Sequence, residues 1–190
     1  GWSYMAPFSP VDVIEEYTRP ARIIRKGEIV TLPALSERIR FEVGERGEME
    51  AFLTDGLRSV LQTIDADELI ESTVRWPGHI DMYLDKKEQL SEEELVEAWS
   101  WDTNISEFTW MEVYAKGKGN STWILDDHGD ENGSSMARTT GAITCAVVKF
   151  ILKEKGIYGV HPPENFGHRL LEMCLNEYSK NNIKIQEIKN

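Results

Sequence analysis

Two cysteines, Cys145 and Cys174, in 190 residues are too few for a secreted disulfide framework, and no Cys-x-x-Cys occurs. The simplest setting for such a chain is the reducing cytoplasm. Basic residues are scarce as well: 21 Lys and Arg stand against 33 Asp and Glu, a formal charge of -12. A protein whose main work is neutralising nucleic-acid phosphates or anionic lipid needs a basic face, so this balance argues against both partners, although a local basic patch is compatible with it. Long apolar runs are missing. The longest, Ala142 to Leu152, is broken by Thr144 and Lys149 and falls short of the ~20 residues of a membrane helix. No basic region followed by an apolar run opens the chain, so no secretory leader is visible. The first residue is Gly1 in place of Met, which leads us to expect that the sequence continues upstream. What remains, 41% hydrophobic residues at this length, suffices for a single soluble domain over 1–190 that buries roughly 70% of its unfolded surface.

Chemical motifs are also few. A dinucleotide fingerprint needs Gly-x-Gly-x-x-Gly between a strand and a helix, so that backbone and helix N-terminus can approach the pyrophosphate. Gly117-Lys118-Gly119-Asn120-Ser121-Thr122 lacks the third glycine and reads as a hairpin turn. No Gly-x-x-x-x-Gly-Lys-Ser/Thr loop and no Gly-x-Ser-x-Gly elbow is present. His79, His128, His161 and His168 are scattered, and the carboxylate-dense stretch Asp126 to Gly133 lacks calcium-loop spacing, so no metal site is expected. Cys145 and Cys174 fall on apolar helix faces, where a buried small hydrophobe is the default. Six tryptophans are many for the length, but no basic residues interleave with them, and packing is their expected use.

The patterns that are present alternate in type. Ser9-Pro10-Val11-Asp12 starts a helix running to about Tyr17. Ala21 to Arg25 and Glu28 to Leu32 flank Lys26-Gly27 as a hairpin, and Arg38 to Val43 with Glu48 to Leu53 form a second strand pair. Leu57 to Ile64 has helical apolar spacing, Ser72 to Trp76 is extended, and two helices follow over Ile80 to Leu90 and Ser91 to Trp101, the latter opened by a Ser91/Glu94 capping box. Phe108 to Lys116 and Ser121 to Leu125 read as strands, with Asp126 to Gly133 a loop. Ser135 to Glu154 reads as the longest buried helix, a last helix opens at Pro162-Pro163, and Ile183 to Ile188 reads as an edge strand. The order predicts an α+β fold with a mixed or largely antiparallel sheet packed with helices.

Three groups carry more polar chemistry than turns require: Leu53-Thr54-Asp55-Gly56-Leu57-Arg58, Arg75-Trp76-Pro77-Gly78-His79, and Met136-Ala137-Arg138-Thr139-Thr140-Gly141. On spacing alone, capping and turn chemistry explain each about as well as a binding role does. Together with Phe8-Ser9-Pro10-Val11-Asp12 through Arg22, they occur in the order found in the saccharopine dehydrogenase-like family, and the sequence most resembles its lysine 6-dehydrogenase-type branch from Phe8 to about Pro163. The resemblance implies that this is the C-terminal, substrate-binding and dimerising domain of an oxidoreductase acting on the C–N bond of an amino acid, lysine or saccharopine-like. NAD or NADP would then be bound mainly by an N-terminal Rossmann domain absent from this chain. The chain alone would be inactive, its partners being the amino-acid substrate, that Rossmann domain and a second copy in a homodimer, with no nucleic acid and no membrane. In that setting substrate contacts fall to Ser9, Thr54, Arg58, Arg75, Arg138 and Thr139, and proton handling to His79 and Asp55. Trp76 stands where relatives often have Tyr, and Lys116 to Asn132 does not match the family pattern. The competing reading is a noncatalytic oligomerisation or ligand-sensing module of the same fold. A self-contained hydrolase built on Asp55 and His79 lacks a nucleophile.

Overall fold

The structure, a computed structural model, describes residues 1–189. Where the sequence reads as one domain, the chain packs as two compact units, Gly1–Asp102 and Thr103–Asn190. Each is α+β, and every strand pairing within the three sheets is antiparallel.

In the first unit, helix α1 (Pro10–Thr18) begins with Pro10 at its first position, where a missing N–H is harmless. Ser9 precedes it in extended conformation, but its side chain makes no capping bond. The helix stops as Arg19 turns extended ahead of Pro20. Val13 and Tyr17, one turn apart, face inward. Strands β1 (Ala21–Arg25) and β2 (Glu28–Leu32) pair in register from Ala21↔Leu32 to Arg25↔Glu28. Lys26 and Gly27 at the turn have φ of 55° and 77°, the doubly left-handed geometry that matches strand twist and that glycine takes without penalty.

Strand β3 (Ile39–Glu42) and strand β4 (Glu48–Leu53) form the second pair. A short helix α2 (Val60–Thr63) follows; the longer helix predicted over 57–64 is cut at one end by left-handed Arg58 and at the other by extended Ile64. Strand β5 (Glu68–Leu69), which has no sequence signature of its own, joins the free edge of β1, and β6 (Ser72–Arg75) pairs with β4 to complete the order β3-β4-β6. Helices α3 (His79–Lys86) and α4 (Glu92–Trp99) close the unit. The capping box of α4 is formed as predicted, Glu94 N donating to Ser91 Oγ and Ser91 N to Glu94 Oε2.

The core gathers Ala6, Val13, Tyr17, Phe52, Ile80, Tyr83, Leu95 and Trp99, with Trp2, Tyr4 and Phe8 packed against them. The N-terminal segment is stitched down by Ala6 N donating to Trp99 O at 2.8 Å, and Trp2 meets Trp99 edge to face at 5.3 Å between centroids. Four of the six tryptophans, Trp2, Trp76, Trp99 and Trp101, belong to this unit, and Trp2 and Trp99 pack in or on the core.

In the second unit, strands β7 (Phe108–Lys116) and β8 (Asn120–His128) pair along their full length, from Phe108↔His128 to Lys116↔Asn120. β8 therefore runs three residues into the acidic stretch expected to be a loop. Helix α5 (Ser135–Lys153) follows, then a single 3-10 turn over Pro163–Phe166, helix α6 (Gly167–Lys180) and strand β9 (Lys184–Lys189) on the other edge of β8. Leu125, Ala142, Tyr178 and Ile183 make the core. At 19 residues α5 is long and apolar enough, by length and composition, to cross a membrane, which the shorter run Ala142 to Leu152 did not suggest. Its inward stripe Ala142, Ala146 and Phe150 is what a helix laid on other elements shows, while Val148, Ile151 and Leu152 stay exposed.

The capping box gives the first test. Ser91→Ala removes the acceptor for Glu94 N and should lower the first unit's unfolding free energy by about 1 kcal/mol, with Ser91→Asp restoring most of it, as read from urea midpoints.

Candidate functional site

A cleft of about 380 Å³ opens in the first unit. One wall is the polar stripe of α1, with Asp12, Glu15, Glu16 and Arg19 at the spacing that puts them on a single helix face, opposite buried Val13 and Tyr17. The other wall is Thr54, Asp55, Gly56 and Arg58, just past the end of β4, with Glu71 and Thr73 at the start of β6.

The second wall is held by its own side chains. Asp55 accepts from Arg22 three times, from the backbone N at 3.2 Å and from Nε and Nη2 at 2.8 Å each, so the turn after β4 is tied to the start of β1. The hydrogen bonds from Arg22 hold the Asp55 carboxyl below its ordinary pKa. Arg58 approaches the same carboxylate at 3.4 Å, but its side chain is 60% exposed and its backbone is left-handed, φ 48°. Non-glycine residues adopt that conformation at a cost of order 1 kcal/mol. Glu71 Oε2 accepts from Thr54 Oγ1 at 2.5 Å and from Gly56 N at 3.1 Å, while Thr54 and Thr73 hydroxyls meet at 2.8 Å. A Cβ at Gly56 would lie 2.6 Å from the Glu71 carboxyl carbon, so any larger residue there would have to displace that carboxylate.

Five carboxylates and two guanidinium groups thus line the cleft. Glu15 pairs with Arg19 on the same helix, and Glu16 pairs with Arg75. Arg75 stands behind the wall, its side chain 6% exposed, with its guanidinium 4.4 Å from the Tyr4 ring centroid and Nη1 donating to Val74 O at 2.9 Å. Burial raises the Glu16 pKa, Glu71 and Asp12 add to the rise, and Arg75 opposes it.

The residues expected to form the site are distributed as follows. Thr54, Asp55 and Arg58 line the cleft together, and Arg75 supports it from behind. Ser9 is exposed ahead of α1 and outside the lining. His79 is wholly buried, packed by Trp2, Tyr4, Tyr17 and Trp99, with Nδ1 2.8 Å from the Tyr17 hydroxyl. Burial, with Arg75 adding to it, pushes its pKa down to about 4, so at neutral pH it is an uncharged packing group.

Arg138 and Thr139 belong to the second unit. Arg138 reaches Asp127 Oδ2 at 3.3 Å, His128 O at 2.5 Å, Asp130 Oδ2 at 3.3 Å and Asn181 O at 2.8 Å, tying α5 to the end of β8 and to the residue after α6. Thr139 Oγ1 donates to Ser135 O at 2.8 Å inside α5. The sequence reading missed Asp12, Glu15, Glu16, Arg19, Glu71 and Thr73. The stripe 12, 15, 16 and 19 was visible as helix spacing, whereas Glu71 had no signal, because it matters through Thr54 and Gly56, which are distant from it in sequence.

These units are small antiparallel α+β modules, the first bearing a concave charged cleft. Among the described residues no strand–helix–strand crossover with parallel strands is present to cradle a dinucleotide, and no group of three His, Cys, Asp or Glu is placed to hold a metal ion. The chain belongs to the saccharopine dehydrogenase C-terminal domain family, whose family model matches residues 1–113. It is therefore an oxidoreductase-associated domain. The match covers the whole first unit and ends within β7, so Met136 to Gly141, part of the wider resemblance read from sequence, lies outside it. No curated protein matches the chain.

The buried imidazole gives a pH test with a definite sign. On unfolding, His79 regains its ordinary pKa of 6.5, so the unfolded chain takes the proton first. Stability from keeping this ring neutral is intact above pH 6.5 and is lost as pH falls toward 4. His79→Phe should lower stability at pH 7, because the buried Tyr17 hydroxyl loses its hydrogen-bond partner, yet flatten the decline between pH 6.5 and 4, as measured by denaturant midpoints across that range.

Proposed function

We propose that the first unit is the substrate-binding part of an NAD(P)-dependent oxidoreductase acting on the C–N bond of an amino acid, lysine or saccharopine-like. The observation that carries this reading is the cleft, where Arg58 and Arg19 stand within one cavity with Asp12, Glu16 and Glu71. A zwitterion has complementary charges for both sets, the guanidinium groups taking its carboxylate and the acids its ammonium groups. Arg58 is suited to the first task because its contact with Asp55 is long and its side chain is mostly exposed, so it can turn to a ligand. Thr54 orients Glu71. Asp55, tied to Arg22, supports the wall, and Arg138 and Thr139 support the second unit's own fold.

This chain contains no glycine fingerprint, so its residues do not fit a dinucleotide. In our reading NAD or NADP is held by a Rossmann domain outside the sequence, the working protein is a cytoplasmic homodimer, and neither nucleic acid nor a membrane is a partner. One observation favours a second reading, a noncatalytic ligand-sensing module: the two groups first assigned to proton handling are sealed in the core, as His79 is, or locked to arginine, as Asp55 is. The two readings separate on turnover. A gene product carrying the dinucleotide domain should reduce NAD(P)+ with L-lysine or saccharopine, whereas the sensor binds without reduction.

For the chain itself, titration calorimetry with L-lysine should show saturable binding, and Arg58→Ala should weaken it at least about tenfold, the scale of one charge-assisted hydrogen bond. Arg138→Ala should lower the unfolding midpoint of the second unit and leave the dissociation constant unchanged. An Arg58→Ala variant that binds as well as the parent removes Arg58 from the site.

A further inference from the structure

Resting on the substrate-binding reading above, we propose that Glu16 is the group that exchanges a proton with the ligand nitrogen in the cleft and that Arg75, behind it, is its positioning residue. Elimination among the titratable groups leads there first. Asp55 accepts three hydrogen bonds from Arg22, which keep it ionised. Glu71 has Oε2 occupied by Thr54 and Gly56. Asp12 and Glu15 are exposed on α1, and Glu15 is already paired with Arg19. His79 is enclosed by four aromatic residues and does not reach the lining. Glu16 alone lines the cleft while being half-buried and backed by a fully enclosed cation.

The geometry of that backing is specific. Arg75 Nη2 holds Glu16 Oε2, which leaves Oε1 without a hydrogen-bond partner among the described residues. The guanidinium is confined, since it is stacked on Tyr4, hydrogen-bonded to Val74 O and set beside Tyr17. Tyr17 is in turn fixed by His79 Nδ1. Glu16 and Tyr17 are neighbours on α1 that point to opposite sides, one to the cleft and one to the core, and Arg75 touches both. The buried motif Arg75 to His79 thus acts on the cleft through Glu16, without contributing an atom to it.

The charged groups facing Glu16 come from every side. Asp12, Glu15 and Arg19 lie on its own helix, Glu71 and Arg75 flank β6, Asp55 and Arg58 follow β4, and the Tyr4 hydroxyl comes from the N-terminal segment. Burial together with Glu71 and Asp12 lifts its pKa from the ordinary carboxylate range, and Arg75 limits the rise. A carboxylate so placed takes a proton more readily than a solvated one. In the step proposed, one proton passes from the ligand's ammonium nitrogen to Glu16 Oε1. The ammonium becomes a neutral amine, the carboxylate a neutral acid, and no electrons change hands.

The test uses two conservative variants, Glu16→Gln and Arg75→Lys, in the gene product that includes the dinucleotide domain, assayed with L-lysine as the probe over pH 5–10. In the parent, kcat/KM should rise with pH through the Glu16 ionisation. Glu16→Gln should lose about 100-fold in kcat, the lower end of general-base effects, and lose that limb. Arg75→Lys should keep a charge but give up the fork, so the limb moves to higher pH while KM changes little; a purely structural role for Arg75 would lower the amount of folded enzyme without moving the limb. Carboxyl NMR of this chain gives an independent reading, with the Glu16 titration displaced upward and displaced further in Arg75→Lys. A parent enzyme with no turnover on amino acids overturns the substrate-binding reading and the proposal with it. Turnover that survives Glu16→Gln with an unchanged pH profile, or a Glu16 titration that Arg75→Lys leaves unmoved, overturns the proposal alone.

Discussion

A guanidinium cannot be enclosed in a protein without a counter-charge, and the first unit is arranged around that constraint. Arg75 ends β6 with its side chain 6% exposed, under Tyr4 and near Phe52. The only way to satisfy it from α1 is a carboxylate at a position adjacent to the inward stripe, and Glu16 is that carboxylate, one residue before core Tyr17. The ion pair therefore sets both the rotation of α1 and its distance from β6. Once those are set, Asp12 and Arg19 must share the face of Glu16, and a cleft lined by charge follows from the same contact that closes the core.

The second wall obeys a parallel rule. A turn after β4 that carries Thr54, Asp55 and Gly56 in sequence has more polar groups than backbone hydrogen bonds can satisfy, and each is matched by a partner distant in sequence: Asp55 by Arg22, Thr54 and Gly56 by Glu71. β5 belongs to the same logic. Two residues long, it exists because β1 has a free edge and the segment before Glu71 must pass beside it on the way to β6. No local pattern announces such a strand, since its cause is the position of its neighbours.

What was readable in the sequence was therefore whatever is decided locally. Pro10, the Lys26-Gly27 turn, the Ser91/Glu94 box and the turn at Gly117 to Gly119 each act within a few residues, and the elements they mark are found where expected. The helix expected over 57–64 shrank to one turn because Arg58 adopts a left-handed backbone that apolar periodicity does not encode. The loop expected after Leu125 became strand because β8 has a partner on each side: β9 pairs with it as far as Asp126, and β7 carries it on to His128. The division into two units was invisible for a similar reason: Asp102 to Asn104 has no marked linker composition.

The candidate site shows a deeper asymmetry between residues that form motifs and residues that form surfaces. Arg75, His79, Arg138 and Asp55 drew attention because arginine, histidine and an Asp-Gly pair stand out beside tryptophan, proline and hydroxyls. Those residue types stand out partly because their geometry is demanding, and demanding groups are the ones a fold saturates or encloses: Arg138 has four partners and Asp55 two arginines, while His79 is sealed in an aromatic cage. Saturated groups make poor ligand contacts, because a ligand must first break what holds them. The side chains left with capacity are the exposed arm of Arg58, expected from its motif, and Glu16 Oε1, a common type at an unremarkable spacing that acquires its chemistry from what lies behind it. In this unit most of the recognisable motif residues build the walls, and Arg58 and Glu16 are left on those walls to meet the ligand.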